Sequence, residues 1–269
     1  LDDNFDCCED QGGSKEIGGA IATEAGDAVE GVTVEASSNH SEYPQYQVSD
    51  NDGAYAFYNA PQYYDFDLTS TLDENYLNGV TTLDLVLIQK HILSIQTLDS
   101  PYKLIAADIN SDCNVTANDL LELRKLILGL YAGDDLPNNE SWRFVDAAYQ
   151  FQNPTQPCPF DEVIDIDNLT NSEMNENFSA VKIGDVNGTA VANATMDAEN
   201  RNANAITLTV NEAVVEAGEE FAVEFTSADF NEVSGYQFTL GFNNAEFVGV
   251  NAGALKVSEA NFGLNRIDE

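Results

Sequence analysis

The chain has 269 residues, 43% of them apolar and 10% aromatic, which is material for roughly two or three domains with real cores. Against 47 Asp plus Glu stand only 10 Lys plus Arg, a formal net charge of −37. A surface that acidic repels phosphates and anionic headgroups, so nucleic acid and membrane are excluded as partners, and no apolar run is long enough to cross a bilayer.

Two readings of the acidity remain and are compatible. One is solubility in a salty exterior; the other is that some carboxylates are ligands for a divalent cation. The chain opens on Leu1 rather than Met, without a charged-then-apolar leader, so it is expected to be a mature or trimmed piece of something longer. Its cysteines are Cys7, Cys8, Cys113 and Cys158, and none has zinc-site spacing. An even count in an extracellular protein favours disulfides. Cys113 with Cys158 is the preferred pair, with Cys7 and Cys8 left over, although sequence does not fix connectivity.

Residues 1–14 are polar and acidic and read as a linker. From 15 to 72 short alternating runs are broken by Gly, Asp and Asn, as in Ile17–Ile21, Val32–Val34 and Ala54–Phe57 after Asp50-Asn-Asp-Gly53. Those are strand and turn signals at the spacing of a small β-sandwich. The run Gly31 to Val34 and the stretch Ser49-Asp-Asn-Asp-Gly-Ala-Tyr55 resemble the carboxypeptidase regulatory-like (Cna-B-like) family. That resemblance implies a spacer or adhesive module.

An internal repeat follows. Val80 to Leu93 aligns with Val115 to Leu128, with Val, Thr, Asp, Leu, Lys, Ile and Leu at matching places. Each copy is a loop entering an amphipathic helix, with Leu85, Ile88 and Ile92 on one apolar face and Leu120, Leu123 and Ile127 on the other. Gly129 suits the end of the second helix. Residues 131–190, rich in Pro and aromatics, read as a loop-rich extension packed on the helical pair, so that 73–190 forms one helical domain.

Calcium takes many oxygen ligands, and a short loop running into a helix delivers them at alternate positions. Asp108, Asn110 and Asp112 fill the first three places, Asn114 offers its backbone carbonyl, Thr116 sits where water or a hydroxyl serves, and Asp119 closes the site. Cys113 stands where the sharp turn normally takes Gly, at some cost in strain but without loss of a ligand. An Asp at the closing position, a short following helix and the tandem duplication make residues 73–130 resemble the type I dockerin family. The resemblance implies a calcium-binding α-helical module that docks onto cohesin domains in extracellular assemblies.

The first copy is damaged. Counting back from Asp84 gives Thr81, Asn75 and Asp73 at ligand places but Leu77 where a central carboxylate belongs. Much later comes Gly184-Asp-Val-Asn-Gly188, which resembles the opening of a dockerin loop, yet read onward it closes on Met196. Two readings stay open: Asp185 and Asn187 return beside Thr81 and Asp84 as a second, split calcium site, or Asp185–Gly188 is simply a turn.

Residues 191–204 read as a linker. From 205 to 269 alternation returns in Ile206–Val210, Phe221–Phe225 and Tyr236–Leu240. With Val215-Glu-Ala-Gly218 and Phe247-Val-Gly-Val, this stretch resembles the start of a cohesin-like β-sandwich. Its missing strands are either cut off or supplied by another subunit.

No nucleophile elbow, HExxH, P-loop or dinucleotide fingerprint occurs, and with so many carboxylates a chance acid pair carries no weight. His40 falls in a polar loop and His91 on a helix surface. Sequons place candidate glycans at Asn39, Asn139, Asn168, Asn177 and Asn193; Asn114 and Asn187 also sit in sequons but are poor acceptors if they line calcium sites.

The expected fold class is therefore multidomain and mainly β: a β-sandwich, a dockerin-like helical pair with calcium loops, then a partial cohesin-like β-sandwich. The expected function is a non-catalytic, secreted or cell-surface assembly protein. Its partners would be other protein modules, including copies of itself in a head-to-tail filament. The alternative is the anchoring or spacer region of a larger secreted hydrolase.

Overall fold

The structure, a computed structural model, describes residues 14–131 and 136–193, the stretches 207–211, 214–228 and 245–254, and residues 240, 257 and 261. Cys7, Cys8, Ile206 and most of the expected strand Tyr236–Leu240 lie outside the described residues, as does nearly all of both linkers. Among the described residues the fold is mainly β, with several sheets and three helices.

The first strands follow the alternation of the sequence. They are β1 (Lys15–Thr23), β2 (Thr33–Ser37), β3 (Gln45–Val48), β4 (Ala54–Ala60) and β5 (Phe66–Thr71). Three helices come next: α1 (Thr82–Ile92), α2 (Pro101–Ala107) and α3 (Ala117–Ile127). Then the chain returns to strands, β6 (Trp142–Asp146), β7 (Val163–Ile166) and β8 (Phe178–Lys182). These three do not form a separate layer. One sheet has the order β4-β1-β8-β6 and the other β3-β2-β5-β7.

The extension over 131–190, expected to be irregular, thus supplies three of the sandwich strands. β8 lies parallel to β1, pairing Ile21 with Phe178, and antiparallel to β6, pairing Phe144 with Ala180. β7 lies antiparallel to β5, pairing Leu68 with Ile164. The sandwich core draws on both sheets: Phe57, Phe66, Phe144 and Phe178 are sealed inside with Ile17, Ile21 and Leu68. Each such phenylalanine contributes roughly 2–3 kcal/mol of apolar transfer.

A second core forms on the other face of β6 and β8. Val145, Val181 and Ile183 pack there with Ile88 of α1, Ile105 of α2, and Leu123 and Leu126 of α3. Leu85, Ile92, Leu120 and Ile127 flank it, as the helical periodicity predicts. α2 is a third helix beyond the expected pair, started by the Ser100 cap and by Pro101 in its first turn. Strands β6 and β8 therefore serve two cores at once. In the C-terminal region the described strands are β9 (Thr209–Val210) and β10 (Phe225–Thr226), an antiparallel pair shorter than the alternation suggests.

Where the two cores meet, Lys182 is buried. Its ammonium donates to the carbonyls of Tyr76 and Ser141, each at 3.1 Å, and lies near the rings of Tyr76 and Trp142. Desolvation outweighs the pull of Asp185 and Asp73 and lowers its pKa to about 8. The folded chain therefore releases this proton before the unfolded chain does. The cost of the charge is fully present below about pH 8 and is relieved as pH rises toward 10.5, the ordinary lysine value. Unfolding free energy should climb over that window by up to about 3 kcal/mol in urea titrations, and Lys182→Met should remove the climb.

Candidate metal centre

α1 and α3 begin in the same way, because the sequence repeats there. Thr81 and Thr116 are extended N-caps whose hydroxyls accept from Leu83 N and Asn118 N at 3.2 Å. Three residues on, Asp84 and Asp119 reach back, each accepting from the backbone N–H of its cap, at 2.8 and 2.7 Å. These are capping boxes closed by Asp rather than Glu. Both carboxylates are completely buried, which is unusual for an acid at a helix start.

Their outer oxygens explain the burial. Asp119 Oδ1 accepts from Asn110 N at 3.2 Å, pulling the 108–114 loop onto the start of α3. Asp108 Oδ1 accepts from Asp112 N at 3.0 Å and Asp108 Oδ2 from Cys113 N at 2.8 Å. Asp112 Oδ1 accepts from Asn114 N at 2.9 Å, and its Oδ2 from the Asn110 amide at 2.9 Å. Cys113 has φ +69°, the left-handed turn expected at that place.

Asp84 has the same kind of outer partner, but from far along the chain: its Oδ1 accepts from Val186 N at 3.0 Å. β8 ends at Lys182, and the residues after it deliver Asp185 and Asn187 to the start of α1. Asp185 accepts from Gly188 N at 2.9 Å and Ala190 N at 2.6 Å, much as Asp108 accepts from its own loop. Thr189 and Asn78 fasten the strap, through Gly79 O at 3.0 Å and through Val191 N and O at 2.9 and 2.8 Å. The structure thus brings Thr81, Asp84, Asp185 and Asn187 together. Asp73, counted back along the linear copy, is elsewhere and accepts from Ser141 N at 2.8 Å, while Leu77 packs on the helical core.

Burial, with Asp185 close by, pushes Asp84 up to about 6; burial also raises Asp185 and Asp108. These directions mark carboxylates held in places that disfavour their charge. Asn187 Oδ1 is buried without a hydrogen-bond partner. Among the described residues, no three carboxylate, imidazole or thiol groups converge closely enough to hold a metal by themselves. The donor set is instead carboxylates mixed with amide, hydroxyl and carbonyl oxygens, turned onto the loops' own N–H groups. All of these are hard oxygen donors, and they suit calcium.

Residues 73–128 match the family model of the Dockerin type I domain. The match finds a type I dockerin domain over this stretch and covers no other part of the chain. No curated protein and no solved structure matches the chain. Asp185 and Asn187 fall outside the matched dockerin segment, as do the residues that clamp its 108–119 loop. Asn139 Nδ2 donates to the carbonyls of Asp108 at 2.9 Å and Ile109 at 3.3 Å, and Arg143 Nη1 donates to Ser111 Oγ at 3.2 Å. Neither carries a motif that marks loop clamping, and the sequon at Asn139 points only to a glycan. The Asn139 amide is committed to the loop, as that of Asn193 is to Ala28 O at 2.6 Å. Asn177 is half-buried with its Oδ1 on Ala20 N, whereas Asn39 and Asn168 are exposed. Cys113 and Cys158 form a disulfide, with Cα atoms 5.5 Å apart.

Gly79 permits the strap to close. Its φ is +76°, and a Cβ there would lie 2.5 Å from Ala190 N and 2.6 Å from Asp185 Oδ2. Gly79→Ala should therefore lift the strap and lower stability by about 2 kcal/mol or more in urea denaturation. Unchanged stability would show that the strap carries no weight.

Proposed function

We propose that this chain is a non-catalytic, extracellular calcium-binding component that anchors an assembly through its dockerin domain. The observation carrying the reading is the pair of buried helix-starting carboxylates, Asp84 and Asp119, each joined to an Asp-x-Asn loop. Asp108, Asn110, Asp112, Asn114, Thr116 and Asp119 would hold one calcium ion. Thr81, Asp84, Asp185 and Asn187 would hold a second, with the orphaned Asn187 oxygen as a donor. Calcium would supply the charge that these crowded carboxylates lack, fixing both loops against α1 and α3.

Dockerin domains dock onto cohesins, and dockerin modules occur in secreted and cell-surface proteins; the Cys113–Cys158 disulfide suits the same compartment. No helix among the described residues is long and apolar enough to cross a membrane. In its finer form the reading makes the partner another copy. The cohesin-like stretch over 205–269 would receive the dockerin domain of a neighbour, building a head-to-tail filament. Electron microscopy of the full chain should then show fibres with calcium and dispersed particles with chelator; dispersed particles under both conditions reject the filament.

The metal count tests the sites. Calorimetry and elemental analysis should find two calcium ions per chain, and one in Asp185→Ala. A count that does not change would reduce Asp185–Gly188 to a turn. Because β6 and β8 belong to both cores, calcium should also protect the sandwich. At about 100 times Kd one ion adds about 2.7 kcal/mol, which should raise the melting temperature read from Trp142 fluorescence by roughly 5–10 °C.

A further inference from the structure

The calcium reading of the Asp108–Asp119 loop calls for a left-handed turn at position 113 but not for a cysteine there, and the following inference rests on that reading. The backbone at Cys113 has φ +69° and at Ser111 +58°, a region that glycine adopts freely and other residues resist. The turn matters to the site, because it points the Cys113 N–H at Asp108 Oδ2, 2.8 Å away. Asn139 and Arg143 clamp the loop from outside, but they grip Asp108, Ile109 and Ser111, its entry. The crown, Asp112 to Asn114, is tied to the rest of the molecule by the bond from Cys113 to Cys158, 45 residues further on. Between the crown and the segment around Cys158 lies a cleft of about 300 Å³, bordered by Asp108, Asn114, Thr155 and Pro157. A freed crown has room to relax.

We propose that the Cys113–Cys158 disulfide is a redox-sensitive latch on the calcium loop. Closed, it holds a residue other than glycine in the left-handed turn and so keeps the Asp108, Asp112 and Asp119 oxygens pre-arranged for the ion. Opening it breaks the S–S bond and forms two thiols, with two electrons and two protons supplied by a dithiol reductant that closes to its own disulfide. The unlatched Cys113 then leaves the strained turn, and calcium binding must restore it. The dockerin domain would thus bind calcium well in an oxidising exterior and poorly in a reducing one.

The test uses the full chain with Cys7→Ser and Cys8→Ser, so that dithiothreitol acts on one disulfide. Calcium affinity is measured by titration calorimetry, and amide exchange is followed at Asp112, Cys113 and Asn114. Reduction, or Cys158→Ala, should weaken calcium binding about five- to tenfold and speed exchange at the crown. Cys113→Gly, which has no disulfide left to reduce, should bind as tightly as the oxidised chain, because glycine needs no latch. Unchanged affinity on reduction, or Cys113→Gly binding as weakly as Cys158→Ala, would overturn the latch. If Trp142 fluorescence shows Cys158→Ala unfolded, the affinity of Cys113→Gly against that of the oxidised and the reduced chain decides alone: equal to the oxidised chain supports the latch, no tighter than the reduced chain overturns it. No calcium binding even in the oxidised chain would bring down the calcium reading, and the latch with it.

Discussion

Strand β8 is the constraint on which the other parts depend. It is held on one side by β1 and on the other by β6, and both of its faces are covered. Phe178 and Ala180 fill the sandwich, while Val181 faces the helices, with Ile183 just beyond. A strand buried on both faces has one register and one depth, because a shift of one residue would exchange the two sets of side chains. That fixed depth determines where the chain emerges, and three residues after the strand Asp185 meets the start of α1. The second loop is therefore positioned by sandwich packing rather than by the repeat to which it answers.

The same arrangement explains what could be read in the sequence. The repeat was legible because both copies keep Val-Thr and the closing Asp before an apolar face of helical period, and α1 and α3 follow it closely. The Asp108–Asp119 loop was legible because its oxygen-bearing side chains fall at alternate places within one short stretch. β6 and β8 were not. Trp142-Arg-Phe-Val-Asp146 and Phe178-Ser-Ala-Val-Lys182 lose strict alternation where they gain a second core, and a lysine in such a run argues against burial. Asp185 was suggested by its likeness to a loop opening, but its partner was a guess across about a hundred residues. Asn139 and Arg143 left no signal, since clamping a loop asks only for a donor in the right place.

Charge and burial are in tension throughout this region. The chain carries a large negative excess, yet Asp84 and Asp119 are buried completely and Asp185 nearly so. Backbone N–H groups offset part of the cost, for Asp185 those of Asn187, Gly188 and Ala190 above all, and Asp185 and the Lys182 ammonium attract each other. Lys182 is an internal cation, but its own bonds go to the carbonyls of Tyr76 and Ser141, the residues that bracket the helical insertion. It pins the insertion to the sandwich and cannot also neutralise Asp84. The carboxylates at the helix starts thus keep a need for positive charge that no side chain among the described residues meets directly, and this need, rather than the overall acidity, singles them out.

The path from the helices into the sandwich is short. Ile88 of α1 and Leu123 and Leu126 of α3 pack in one core with Val145 of β6 and Val181 of β8. Those strands in turn are hydrogen-bonded into a sandwich whose sheet continues through β1 to β4. The helices are inserted between β5 and β6, so both of their ends are tied to sandwich strands instead of one end hanging from a linker. The strap after β8 closes a third tie: Glu30 N donates to Ala192 O at 3.0 Å, joining the strap to the β1–β2 connection. A helical pair this small has little core of its own. Set into a sandwich at three points, it shares the cooperativity of the larger unit, and the two proposed calcium sites would lie at joints of that frame.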